Sequence, residues 1–202
     1  MSRWNVSILC ALLLLAVAVS APAVEGLPDG FSVIRTISHD FTNGPSGMAV
    51  HPLTGDLYVL DSIGSGGSDI LVVDPDGNVE VLAANIGTIV GGLADIVLGP
   101  DFRIYAGDTA NGRIKAVDLD GNVTDYATIS GVGTDAMGLA FDSAGNLYAS
   151  DRGTTLWKIG PGGSPVTSFS TGWQDLDEIE VDTNDILYIA DGSSGVDNHS
   201  VF

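Results

Sequence analysis

Cysteine is almost absent from this chain: Cys10 is the single one among 202 residues. It lies in an apolar run from Val6 to Val19, which is followed by the small residues of Ala21-Pro22-Ala23, the pattern of a secretory signal peptide. We therefore expect residues 1–23 to be removed and the protein to be secreted to an extracellular or periplasmic location. The remaining chain then has no cysteine, which excludes disulfides, cysteine nucleophiles and thiolate metal sites.

Long apolar runs are missing from the rest of the sequence. The N-terminal run is shorter than the roughly 20 residues that cross a bilayer, and no comparable run follows it. We therefore predict no membrane span after signal cleavage.

Basic residues are scarce, with 7 Lys and Arg against 26 Asp and Glu and a formal net charge of -19. Nucleic-acid binding depends on basic patches that replace the counterions of phosphates, and no three basic residues stand together here, so we predict no nucleic-acid partner. An acidic surplus keeps secreted proteins apart by repulsion, and it also suits divalent cations. Both interpretations are open at this stage.

Charged residues make up only 16% of the chain and apolar residues 45%, which is enough to build one compact domain over residues 24–202. The 27 glycines and 8 prolines follow no period of three, so they indicate many turns rather than long helices or a collagen-like chain. A helical bundle is therefore not expected.

One five-residue pattern occurs four times: an aliphatic residue, Tyr, two small or aliphatic residues, and Asp. The copies contain four of the five tyrosines and end in aspartate, and these repeated positions are Tyr58, Tyr105, Tyr148 and Tyr188 with Asp61, Asp108, Asp151 and Asp191. The tyrosines are spaced by 47, 43 and 40 residues. This spacing is typical of one four-stranded propeller blade.

Each repeat has the pattern of four short strands joined by polar turns. The sequence therefore predicts an all-β fold, a β-propeller of four-stranded antiparallel blades over residues 44–83, 91–128, 135–170 and 174–202. The last blade is incomplete, and two explanations are open: a strand over 31–37 closes it, or the four visible blades are part of a larger, six-bladed ring. We favour the larger ring, because propellers avoid exposed strand edges.

The first repeat, Pro45-Ser46-Gly47-Met48-Ala49-Val50 followed by a turn and Leu57-Tyr58-Val59-Leu60-Asp61, resembles the start of an NHL repeat. The second, Asn111-Gly112-Arg113-Ile114 before Asp118-Leu119-Asp120-Gly121-Asn122, is similar to the NHL stretch that joins Arg-Ile to an Asp-Gly turn. The resemblance covers roughly residues 44–191. It implies a propeller of the NHL and gluconolactonase-like (senescence marker protein-like) superfamily, whose members include protein-binding scaffolds, lactone hydrolases with a central divalent metal, and streptogramin lyases.

The resemblance also implies that metal ligands would stand just before the innermost strand of each blade. Only one of the four residues there is a carboxylate, the four being Ser46, Ala94, Met137 and Asp177. Three further acids, Asp95, Asp135 and Asp175, stand one or two residues from these positions in the chain. We therefore predict a cation site formed by Asp135, Asp175 and Asp177, which would hold Ca²⁺ or another divalent cation that prefers oxygen ligands.

Other polar residues are predicted to serve the fold. The Asp that ends each Tyr strand repeats once per blade, so we assign it the role of accepting backbone N–H groups of the following loop. Residues 74–78 and 118–122 are predicted to be hairpin turns rather than calcium loops, because no Glu follows at the twelfth position. The three histidines, His39, His51 and His199, are predicted to lie on the surface.

No motif in the sequence specifies a reaction. We predict a binding or scaffold module whose partner, a protein or a small molecule, contacts the loops at the channel mouth, which are residues 62–69, 109–113, 152–155 and 192–199. The first alternative is a divalent-metal-dependent lactone hydrolase of the gluconolactonase-like type. The second alternative is a truncated, inactive gene product.

Overall fold

The computed structural model describes residues 36, 37, 39, 44–61, 67–87, 93–108, 110–129, 138–151, 153–192 and 200–201. The chain divides into two units, Met1–Ser38 and His39–Phe202, and all described strands belong to the second unit. The predicted signal peptide and most of the predicted 31–37 strand lie outside the described residues.

The described residues form antiparallel strands and one short 3-10 helix, Pro161–Gly163, which confirms the predicted all-β fold. The first sheet contains β1 (Pro45–Val50), β2 (Leu57–Asp61), β3 (Asp69–Val73) and β4 (Val79–Ala83). The second contains β5 (Leu93–Leu98), β6 (Ile104–Asp108), β7 (Arg113–Val117) and β8 (Val123–Thr128). The third contains β9 (Leu139–Phe141), β10 (Leu147–Ser150), β11 (Thr155–Ile159) and β12 (Val166–Ser170), and the fourth contains β13 (Leu176–Val181), β14 (Leu187–Asp191) and β15 (Ser200–Val201).

Each sheet is one blade, in which the strands are neighbours in chain order. The first strands of successive blades contact one another, β1 with β5, β5 with β9, and β9 with β13. We call these four the inner strands. The repeat predicted from the tyrosines therefore corresponds to a physical unit that packs on its neighbour.

Apolar side chains fill the space between adjacent blades in three buried clusters. Each cluster joins residues of two successive blades, for example Leu60 with Ile104, Ile114 with Leu147, and Leu156 with Ile179. The Tyr strand contributes most, and in β6 every residue is buried. Strands that are buried on both faces bury apolar area on each side, and this area is the main source of stability in the fold.

The two ends of the blades differ in the lengths of their connections. At one end, which we call the turn end, the links have five or six residues, as at 99–103 and 142–146. At the other, the loop end, the links range from four residues at 109–112 to ten at 129–138. Most of the variation in length is therefore at the loop end.

The two Asp-Gly runs form the β3–β4 and β7–β8 hairpin turns, as predicted. Asp74 Oδ1 accepts a 2.8 Å hydrogen bond from the backbone N–H of Asn78, and Asp74 Oδ2 accepts a 2.7 Å bond from the Asn78 side chain. Asp118 and Asn122 repeat this arrangement. Hydrogen bonds from these asparagines hold the pKa of the Asp74 and Asp118 carboxyls below the usual value.

The prediction that His51 lies on the surface is wrong, because only 5% of this residue is exposed. Its Nδ1 accepts hydrogen bonds from the backbone N–H groups of Leu53 (3.3 Å) and Thr54 (3.2 Å), as an aspartate does in the corresponding turn of the third blade. Its ring stacks on Phe102 of the second blade, with ring centroids 4.9 Å apart. His39 is exposed, as predicted, and His199 lies outside the described residues.

Two adjacent glycines at the turn end of the third blade differ in their surroundings. Gly162 and Gly163 both have left-handed backbone, with φ of 77° and 86°. A Cβ at Gly163 would collide with the carbonyl oxygen of Tyr126 in the second blade, whereas a Cβ at Gly162 would meet nothing within 4 Å. Close approach of two blades therefore depends on Gly163.

This pair gives a matched test of blade packing. G162A introduces left-handed backbone strain alone and is expected to lower the free energy of unfolding by about 1 kcal/mol. G163A adds overpacking against Tyr126 and is expected to cost about 2 kcal/mol more, measured by urea denaturation. Equal losses in the two variants would show that the second and third blades do not rely on this contact.

Candidate functional site

Strand register relates the four inner strands to one another residue by residue. The repeated tyrosines pair with Ala49, Val97, Ala140 and Glu180 of the inner strands. Two residues before each of these stand Gly47, Asp95, Gly138 and Glu178. Glycine and acid therefore alternate along the four blades at this position.

The glycines make room for the inner strand of the following blade. A Cβ at Gly47 would stand 3.0 Å from the backbone nitrogen of Ile96 and 3.1 Å from Oδ1 of Asp95. A Cβ at Gly138 would stand 2.9 Å from the Cα of Glu178. Each acid thus lies directly beside a glycine of the preceding blade, where a larger residue would not fit without displacement of the backbone.

Asp95 joins the second blade to the third. Its Oδ1 accepts a 2.7 Å hydrogen bond from the backbone N–H of Ile96, and its Oδ2 accepts a 3.1 Å bond from the backbone N–H of Leu139 on β9. Burial, together with the negative charges of Glu178 and Glu180, raises the pKa of the Asp95 carboxyl to about 7, although the two hydrogen bonds oppose this shift. Near pH 7 this carboxyl is therefore populated in both its protonated and its ionised form.

The acids of β13 form the other half of this group. Burial raises the pKa of the Glu178 carboxyl, and the charges of Glu180 and Asp177 raise it further. We call Asp95, Glu178 and Glu180 the inner acids, because their charges act on one another between inner strands of the second and fourth blades. The charges that raise the pKa of the Asp95 and Glu178 carboxyls are negative ones, so the inner acids repel one another and attract cations.

Two of the three predicted cation ligands come together at the loop end. The carboxylate of Asp177 occupies the space beside Gly192, and Oδ2 of Asp175 lies 3.4 Å from the point where a Cβ on Gly192 would stand. Asp175 has left-handed backbone, with φ of 65°, and its carbonyl accepts a 2.9 Å hydrogen bond from the N–H of Gly192. Asp135 lies outside the described residues, and the described part of the chain contains no group of three or more His, Cys, Asp or Glu arranged to hold a metal ion.

The aspartates that end the Tyr strands are all buried, with 4%, 0%, 7% and 9% exposure at Asp61, Asp108, Asp151 and Asp191. Asp61 Oδ1 accepts a 2.9 Å bond from the N–H of Gly44, just before the inner strand. Asp151 Oδ1 accepts bonds from the N–H groups of Gly153 (2.9 Å) and Thr155 (3.2 Å), and Asp108 Oδ2 accepts one from the side chain of Asn111 (3.1 Å). The carboxylates of Asp61, Asp108 and Asp151 thus fasten loops at the loop end.

The repeated tyrosines become more exposed along the chain. Tyr58 and Tyr105 are 3% exposed, Tyr148 is half-buried and Tyr188 is 40% exposed. In the first three blades the following blade packs over the tyrosine. Of the predicted contact loops at the loop end, the structure describes residues 67–69, 110–113, 153–155 and 192.

Sequence reasoning missed Glu178 and Glu180 and left Asp95 outside the predicted site. The predicted site was based on Ser46 and the residues equivalent to it in the other three repeats. The position one residue later indicates the inner acids, because glycine and acid alternate there in the four repeats, as Gly47, Asp95, Gly138 and Glu178.

Antiparallel blades whose first strands lie side by side define a β-propeller. No protein-family profile matches the chain, and no curated protein matches it in sequence. Solved structures do match in fold, and they confirm the predicted resemblance to the gluconolactonase-like and streptogramin lyase propellers at that level.

A virginiamycin B lyase from Staphylococcus aureus superposes with a TM-score of 0.65 at 12% identity over 81% of this chain and 56% of the lyase. A calcium-binding protein, regucalcin, from Agrobacterium tumefaciens strain C58 gives 0.60 at 18% identity over 76% and 55%. A candidate gluconolactonase gives 0.57 at 16% identity over 73% and 55%. This chain therefore spans little more than half the length of these similar proteins, and the likeness shows the fold. Among the described residues no helix is long and apolar enough to cross a membrane.

The pKa of Asp95 makes stability depend on pH in a defined direction. The carboxyl has a pKa of about 7 in the folded protein and an ordinary value of 3.8 otherwise, so folding takes up a proton between these values. The stabilisation that comes from this proton uptake by Asp95 is present in full below about pH 4, and it is lost as the pH rises through 7. We expect the free energy of unfolding to be roughly 2 kcal/mol lower at pH 8 than at pH 5, as measured by chemical denaturation.

The variant D95N should remove most of this difference, because its side chain does not titrate. D76N, which changes an exposed residue of the β3–β4 turn, should retain it. A wild-type difference that persists in D95N would place the titrating group elsewhere.

Proposed function

We propose that this protein is a secreted binding module of the β-propeller type, which takes its ligand at the loop end and along the inner strands. The observation that carries the proposal is that the connections vary in length from four to ten residues at the loop end, whereas those at the turn end have five or six. Loops on a rigid scaffold diverge where they contact a ligand, while the turns that only close hairpins stay short. The N-terminal apolar run supports secretion.

The charge near the inner strands defines the kind of ligand. The inner acids repel one another, and burial disfavours the ionised forms of Asp95 and Glu178. A ligand that brings positive charge relieves both effects, and the net charge of -19 concentrates cations around the whole protein. The proposed ligand is therefore cationic, either a small polyamine or a basic segment of a protein partner.

A titration with spermine, followed by amide NMR, tests this proposal. We expect the amides of Ile96, Leu139 and Ile179 to shift at low spermine concentration, and the double variant E178Q/E180Q to weaken the response about tenfold. E80Q, which removes a similar charge from the outer strand β4, should leave the response unchanged. Shifts spread evenly over the surface, or equal responses in the two variants, would refute a ligand site at the inner strands.

The alternative function is a divalent-metal-dependent lactone hydrolase. It is supported by the meeting of Asp175 and Asp177 at Gly192, and by the fold that this chain shares with a candidate gluconolactonase and with a calcium-binding protein. Two carboxylates supply part of the six to eight oxygen ligands that Ca²⁺ takes, and Asp135 is the third predicted ligand.

The effect of divalent cations on the melting temperature distinguishes the binding module from the lactone hydrolase. A cation that binds only the folded state raises the melting temperature. The binding-module proposal expects no shift greater than about 1 °C with millimolar Ca²⁺, Mg²⁺, Mn²⁺ or Zn²⁺, and no hydrolysis of a panel of sugar lactones. A shift that D177N abolishes and that D182N, in a turn at the other end, retains would favour the hydrolase, and metal-dependent lactone turnover would establish it.

A further inference from the structure

A cleft of about 340 Å³ lies at the turn end, between the second and third blades. One wall is the turn with Pro100 and Asp101, and the opposite wall consists of the turns with Ala144 and Pro161. Sites for small molecules commonly begin at about this volume. The cleft lies at the opposite end of the blades from Asp175 and Asp177, so it is separate from the site described above.

Three aromatic rings line the inner part of the cleft. The ring of Tyr105 makes edge-to-face contacts with Tyr126 (centroids 4.7 Å apart) and Phe141 (4.9 Å). Between the first and second blades, the corresponding partners of the repeated tyrosine are Leu82 and Leu98. At the second interface three Tyr and Phe rings meet, whereas between the first and second blades the rings near Tyr58 are those of His51 and Phe102.

A β-bulge places Tyr126 in the cleft. Ile114 and Lys115 of β7 pair with Ala127 and Asp125, so Tyr126 is the extra residue of β8. Bulges redirect side chains and are frequent beside functional sites. The hydroxyl of Tyr126 donates a 3.3 Å hydrogen bond to the carbonyl of Gly160 in the third blade, which fixes the ring across the blade boundary.

One carboxylate stands at the edge of these rings. The side chain of Asp101 is 45% exposed, and its Oδ2 accepts a 2.9 Å hydrogen bond from the hydroxyl of Tyr105. The guanidinium of Arg103 lies 4.0 Å from this carboxylate and 5.9 Å from the centre of the Tyr105 ring, so a cation already occupies the rim on one side. On the other side, the backbone N–H and the hydroxyl of Ser143 donate hydrogen bonds to the carboxylate of Asp185.

We propose that this cleft binds a small organic cation with an apolar body. The ammonium group would lie beside Asp101, and the apolar body would lie against Tyr126 and Phe141 between the two proline-bearing turns. Aromatic faces and a nearby carboxylate are the groups that attract organic cations, and the acidic protein concentrates such cations at its surface. A free amine and the side chain or N-terminus of a peptide share this chemistry.

The test compares three probes with the same ring and different charge: benzylamine, benzyl alcohol and benzoate. Amide NMR of the protein should show benzylamine shifting Asp101, Ala144, Gly145 and Gly162 at millimolar concentration, benzyl alcohol binding more weakly, and benzoate not binding. A short Gly-Lys-Gly peptide with blocked ends then distinguishes a peptide ligand from a free amine, because only a peptide site would prefer it to benzylamine.

Two variants locate the interactions and one serves as control. Y126A should weaken benzylamine about threefold, the lower end of the scale of one aromatic pair. D101N should weaken benzylamine up to about fivefold, the scale of one solvent-exposed charge pair, and leave benzyl alcohol unchanged. L82A alters the equivalent bulge of the first blade and should bind like the wild type.

Several results would overturn the proposal. Equal affinity for benzylamine and benzyl alcohol would remove the role of charge, and full affinity in both Y126A and D101N would place the probe elsewhere. Shifts confined to Ile96 and Ile179 would assign benzylamine to the inner acids instead. If Y126A does not fold, D101N and the comparison of probes decide the outcome.

Discussion

Apolar packing between adjacent blades is the interaction on which the other features depend. The sole cysteine of the sequence is Cys10, so no disulfide can hold one blade to the next. Residues such as Leu60, Ile104 and Leu147 are fully buried, and each lies in a cluster shared by two blades. A single β-hairpin or sheet is marginally stable in water, so each blade gains its stability from the faces that its neighbours cover.

Packing between the blades sets the distance between neighbouring inner strands, and this distance limits which side chains fit between them. Gly47 and Gly138 permit the following strand to come close, and the acids Asp95 and Glu178 fill the positions between them. A buried carboxylate is unfavourable unless its hydrogen bonds are satisfied. Asp95 meets this condition with a backbone bond to Leu139, so the same residue that introduces an electrostatic cost also joins two blades.

Most of the fold could be predicted from the sequence, because the Tyr strand repeats at regular intervals and its neighbours have short strands and Asp-Gly turns. The strand that holds Tyr105 is buried as the repeat requires. The environment of single side chains could not be predicted. His51 is buried because Phe102, fifty-one positions later, stacks on it, and the partner of Asp95 is forty-four positions away at Leu139. The β8 bulge that turns Tyr126 toward the third blade also leaves no mark in local sequence pattern.

The two ends of the blades differ in how far their connecting segments can change. Connections at the loop end differ in length by several residues, while each described blade keeps its strands in the same antiparallel order. Loops there can be lengthened or replaced at little entropic cost as long as the buried residues Ile86 and Ile129 are kept, so new specificities are accessible at low risk to folding. The turn end has no such freedom, since its glycines and aspartates are engaged in closing hairpins. A binding surface at the turn end therefore stays the same when the loops at the other end change, because the residues that form it are required by the fold.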